Sequence, residues 1–253
     1  DTSEAAPRAN LGETSAIVSG GMIDLNSGAV SIDVDNTQVI NALVFAGAGA
    51  LAAGAVGVAL SGAGVSVLNE IGGTTRAAIE QAADITAASV DVTADNTQII
   101  NAAAGAVALS LALGKGGVAV SIAATVAENT ISGSTVAEIV RDGAASRGVI
   151  ETPGAVTVTA TDLSKIEAIS VAASLSAAAG MVGVAISGAG ASAVNRIVGG
   201  AQTAHARIEG YDIGQNGQSA ASVTVEATSQ GTIRSLVATV SAALAVGKVG
   251  VGA

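Results

Sequence analysis

The chain has 253 residues, a formal net charge of −10, no cysteine and only two aromatic residues, Phe45 and Tyr211. The acidity leaves no basic stripe to neutralise phosphates, which disfavours nucleic acid as a partner. The lack of cysteine excludes disulfides and thiol chemistry, and 33 glycines without a Gly-X-Y period exclude collagen.

No signal peptide is visible at Asp1, so the chain reads as a window on a longer array, with residues 1–28 the end of a preceding repeat. From residue 29 onward a Gly-x-x-Gly tetrad returns four times, at Gly54/Gly57, Gly114/Gly117, Gly180/Gly183 and Gly247/Gly250. The second glycines lie 60, 66 and 67 residues apart. Asn69, Asn129 and Asn195 each follow that glycine by 12 residues, and Asp35-Asn36-Thr37-Gln38 returns as Asp95-Asn96-Thr97-Gln98. Length alone would allow one or two domains, but a period this long predicts stacked supersecondary units sharing one core. The approximate repeats are 29–88, 89–154, 155–221 and a partial 222–253, in a single array over 1–253.

The second repeat shows the pattern in order. Ser89-Val90-Asp91-Val92-Thr93 alternates and predicts a short strand, and Asp95-Asn96-Thr97 predicts a turn, since Asx side chains bond their own backbone. Val107, Leu109, Leu111 and Leu113 then take one face, and Ala106, Ala108, Ser110 and Ala112 the other. The tetrad predicts a tight connection in which glycine accepts positive φ. Beyond it, Val118, Val120 and Ile122 alternate with Ala119, Ser121 and Ala123, up to Asn129. Period two means strand, and the lack of a polar face predicts that both faces are covered. Insertions around Arg141 to Pro153 and Glu209 to Ser219 fall outside these strands, in connections that project from one edge of the stack.

Membrane helices are the competing reading, because Ala42 to Leu68 and Ala168 to Val194 each run 27 residues without a charge. Six glycines in the first stretch, Lys115 and Lys248 at the midpoints of the equivalent segments, and the missing aromatic belt weigh against it.

The run Val92-Thr93-Ala94-Asp95-Asn96-Thr97-Gln98-Ile99-Ile100 precedes an Ala/Gly-rich hairpin and a Val-Ala-Val strand ending in Asn. Val156-Thr157-Val158-Thr159-Ala160 and Val223-Thr224-Val225-Glu226-Ala227 match its first part. From about Ala29 onward the chain resembles the repeat region of bacterial leukotoxin-family filamentous adhesins. The resemblance implies a secreted, cell-surface β-solenoid without an active site. The family's secretion and terminal domains are not among these residues.

Candidate chemistry is sparse. His205 is the single histidine, so no triad or His-rich metal site can be built, and it reads as a surface residue beside Arg207. Asp35 stacked over Asp95 would invite calcium, but Thr161 and Thr228 break that row. Lys115 and Lys248 lack the Walker spacing and read as solvent-facing turn lysines. Thr157 and Thr159 form a Thr-x-Thr step in one repeat only, too little for an ice-binding array.

The sequence therefore predicts an all-β repeat solenoid or β-helix, with wide coils of about 60–67 residues and parallel stacked strands. Gly54, Gly57, Gly114, Gly117, Gly180, Gly183, Gly247 and Gly250 would form a turn ladder, and Asn69, Asn129 and Asn195 an amide ladder. No catalytic, cofactor or metal site is expected. The expected role is a structural segment of an extracellular filament or adhesin stalk. It would self-associate and could carry a ligand on a host or neighbouring cell. A membrane-embedded assembly or pore is the alternative.

Overall fold

The computed structural model describes residues 12–25, 27–143, 146–198, 204–214 and 219–253. Among these the chain is all-β, with no helix. In order the strands are β1 (Glu13–Ser19), β2 (Ile23–Asp24), β3 (Val30–Glu80), β4 (Asp84–Thr86), β5 (Val90–Val140) and β6 (Gly148–Glu151). There follow β7 (Ala155–Ala179), β8 (Val182–Ile197), β9 (Ala204–Glu209), β10 (Tyr211–Ile213), β11 (Ser222–Val246) and β12 (Val249–Gly252). Pro153, which cannot donate to a ladder, falls in the connection between β6 and β7.

Every strand pairing is parallel. β3 lies on β5 from Val30↔Val90 to Glu80↔Val140, and β5 lies on β7, β8 and β9 in turn. β11 covers β7, β12 covers β8, and β1 pairs with the end of β3. A second, four-stranded parallel sheet runs β10-β6-β4-β2. The molecule thus has tiers: β3 is the first, β5 the second, β7 to β9 the third, β11 and β12 the fourth.

Within a tier the chain runs out along one limb, bends at the glycine tetrad and returns along a second. The limbs face each other through side chains. Ser187 Oγ donates to the Ser174 carbonyl at 2.9 Å, and the Thr125 and Ser170 hydroxyls bond at 2.7 Å. Small residues make this close approach possible. Ala59, Ala112, Ala119, Ala178 and Ala185 pack together near the bend, and Ala104, Ala106, Ala108, Ala123, Ala127 and Ala172 pack farther back. At the base the limbs diverge, and the second sheet closes the gap. There Ile79, Ile85, Val92, Ile139, Ile150 and Val158 form the widest part of the core.

Three expectations need correction. Asp95-Asn96-Thr97 is not a turn: it lies inside β5, paired with Asp35-Asn36-Thr37 of β3. The tetrads bend the chain, but β3 and β5 continue through Gly54–Gly57 and Gly114–Gly117, their pairing skipping only Ala55 and Lys115, and only the third and fourth tiers end a strand there. Third, the limbs are covered on one face only. Leu51 is 71% exposed and Leu109 48%, because each limb meets its facing limb on one side and, among the described residues, nothing on the other.

Candidate functional site

The predicted glycines form columns at the bend. Gly57 pairs with Gly117, Gly117 with Gly183 and Gly183 with Gly250, while Gly54 pairs with Gly114. Their rationale differs from the sequence expectation, since Gly114, Gly117, Gly180, Gly183, Gly247 and Gly250 do not have positive φ. Close approach is the cause. A Cβ on Gly114 would overlap the Gly54 carbonyl oxygen, one on Gly180 that of Gly114, and one on Gly247 that of Gly180. Each carbonyl at the bend rests on the bare Cα of the next tier.

The asparagines bond in series. Asn69 Nδ2 donates to Asn129 Oδ1 at 2.7 Å, and Asn129 Nδ2 donates to Asn195 Oδ1 at 2.7 Å. A second series escaped the sequence analysis. Asn36 Nδ2 donates to Asn96 Oδ1 at 3.1 Å, and Asn96 Nδ2 donates to Asp162 Oδ2 at 2.9 Å. The buried Asp162 carboxylate also accepts from the Thr135 and Ser164 hydroxyls. The signal was the exact return of Asn36 as Asn96 one period on; reading it as turn chemistry hid it. Gln98 lies nearby, fully buried, and neither amide atom has a hydrogen-bond partner among the described residues.

At the base, Glu138 is 3% exposed and is held between Arg76 and Arg207, the latter at 2.7 Å. Burial pushes its carboxyl up, but hydrogen bonds from Arg207 and Arg76 outweigh this and hold it below the usual carboxylate range. Arg76 also pairs with Glu80, and Arg207 with Glu209 at 2.8 Å. Tyr211 is buried against the same core, and its hydroxyl donates to the Ala82 carbonyl at 2.8 Å. Burial raises its phenol above the ordinary value.

The remaining candidates stay apart. His205 lies half-buried in β9, paired with Val136. Asp35 does stack on Asp95, with Thr161 next in the row. Lys115 and Lys248 are exposed at the bend, and Thr157 and Thr159 lie within β7.

The outward faces of the limbs are apolar over most of their length. On the outgoing limb, Leu43, Phe45 and Leu51 of the first tier and Val107, Leu109, Leu111 and Leu113 of the second are exposed on the outward face, while the fourth tier, β11, is exposed at nearly every position. Asn41, Asn101, Glu167 and Arg234 form a polar row behind this band, and the exposed Lys115 and Lys248 stand at its tip. No family model, curated protein or solved structure matches the chain.

Proposed function

We propose that the chain is a structural segment of an extracellular bacterial filament or adhesin stalk, built as a parallel β-solenoid with wide coils of 60 to 67 residues and without catalysis. The reading follows the resemblance to leukotoxin-family filamentous adhesins. The observation that carries it is register. β3 and β5 pair along nearly their whole lengths at one offset, and side-chain ladders follow the same axis. Such a stack adds about 4.8 Å per coil and transmits load through backbone hydrogen bonds. Its partners are further copies of itself and a ligand on a host or neighbouring-cell surface.

Electron microscopy tests the reading. A chain carrying ten further copies of residues 89–154 should be ~48 Å longer than the parent at unchanged width. A particle that thickens instead of lengthening overturns it.

The apolar outward faces favour one second reading, a membrane-embedded assembly. No helix among the described residues is long and apolar enough to cross a membrane, so strands would have to do so. Flotation of the chain with phosphatidylcholine vesicles, resistant to carbonate, would support that reading over the filament.

A further inference from the structure

We infer that the limbs span a lipid bilayer as a two-layered β-blade, from the polar row at Asn101 to the bend, with the base on one side and Lys115 in the headgroups of the other. The stack axis then lies in the membrane plane. This deepens the second reading above, a membrane-embedded assembly, and rests on it.

The first argument is that both outward faces are apolar. In β5, which has a tier on each side, Val107, Leu109, Leu111 and Leu113 are exposed on the outgoing limb, and Ile122 and Val126 on the returning one. A protein partner seated on one limb leaves the other bare. A fluid that surrounds the blade covers both.

The second is that the two faces end at one level. Thr125 bonds across to Ser170, which stacks on Ala104 of the second tier. Three residues further toward the base on each limb, Asn101 stands level with Glu128. Polar side chains therefore begin at the same height on both limbs, as one bilayer surface requires.

Length is the third. Ala102 to Leu113 is 12 residues and Gly117 to Ala127 is 11. At about 3.3 Å per residue these limbs reach ~40 Å and ~36 Å. A bilayer is about 30 Å thick in its hydrocarbon core and ~40–45 Å with its headgroups. The match belongs to each tier by itself and does not depend on how many tiers are stacked.

Charge is the fourth. Between Asn101 and Glu128 the one charged residue is Lys115, and between Glu167 and Arg196 there is none. In a helix Lys115 would sit at the midplane, the costliest depth. The bend carries it to the far end of the blade, where its ammonium meets lipid phosphates. The backbone agrees, since β5 pairs with β3 on one side and with β7 and β8 on the other along these limbs. Its ladder groups need no water, the condition for strands in hydrocarbon.

The test reads depth. The chain has no cysteine, so single cysteines carrying a nitrobenzoxadiazole fluorophore report one position each. Leu109→Cys and Ile122→Cys mark the middle of the two limbs, Lys115→Cys the tip and Asp91→Cys the base. Each is reconstituted into phosphatidylcholine vesicles brominated at mid-chain. Labels on both limbs should lose most of their emission, and those at tip and base should keep most of theirs. Circular dichroism checks each fold; if Leu109→Cys does not fold, Val107→Cys takes its place. Quenching that peaks at the tip means shallow, tip-first insertion. It overturns the spanning blade but leaves the membrane reading standing. Quenching on one limb alone does the same, because it puts only one face in lipid. A chain that does not float with the vesicles overturns both this inference and the membrane reading.

Discussion

Asn129 donates to Asn195 at 2.7 Å while it accepts from Asn69 at the same distance, so one buried amide joins three tiers. Asn129 is fully buried. Asn129→Ala should therefore orphan the Asn69 donor and the Asn195 acceptor together, at about 2–3 kcal/mol. Urea unfolding should show a lower midpoint with an unchanged slope. A loss no larger than that of an exposed control such as Ser66→Ala would remove the ladder from the list of stabilising features.

The bend glycines predict a contrast. Gly180→Ala sets a methyl group against the Gly114 carbonyl and should cost about 1–3 kcal/mol by overpacking. At Gly188 a Cβ meets nothing within 4 Å, so Gly188→Ala should be neutral or stabilising by about 0.5 kcal/mol. Thermal denaturation of the two variants side by side decides it. Equal effects would mean that close stacking at the bend is not what selects glycine.

Acid should loosen the base of the molecule. The Glu138 carboxyl is held low in the folded chain and returns to an ordinary value near 4.3 when unfolded. Its contribution is fully present above that value and is lost as pH falls through the depressed folded value. Glu138→Gln should cost about 2–3 kcal/mol at pH 7, discounted for the partial exposure of both arginines, and should flatten the fall in stability below pH 4. Parallel acid slopes for parent and variant, from urea midpoints between pH 7 and pH 3, would assign the acid response elsewhere.

Trypsin should cut first at Arg147, in the connection between β5 and β6, where the guanidinium reaches Asp212 across an exposed pair. Arg76 in β3, Lys165 in β7 and Arg196 in β8 should resist, since their backbone is paired with neighbouring tiers. Arg207 belongs with the resistant group despite its position near a variable connection, because it lies in β9 and holds Glu138. Mass mapping of early fragments checks the order, and an even spread over all basic sites would show a loosely folded chain.

Much of the fold was legible because its signals are local or strictly periodic. Alternation marked the limbs, and the recurrence of Gly57 as Gly117, Gly183 and Gly250 marked a register that the pairing reproduces. What failed had one cause: partners supplied by the neighbouring tier cannot be seen in a single repeat. Asn96 carries turn chemistry by itself, yet it extends because Asn36 and Asp162 satisfy its amide. Gly114 suggests positive φ by itself, yet it is glycine because Gly54 lies beneath it. Leu109 and Leu51 suggested a covered face, but coverage depends on something outside the tier.

The offsets of 60, 66 and 67 residues between tiers leave the outgoing limbs matched position for position, and the returning limbs as far as Ile197; the surplus falls in connections, including the one between β8 and β9, across which the offset to β5 rises from 66 to 69. A whole tier is therefore a unit of inheritance as well as of structure. Deleting or duplicating one in frame joins limbs that already match, so unequal recombination between repeats can change the length of such a protein without passing through a misfolded intermediate sequence.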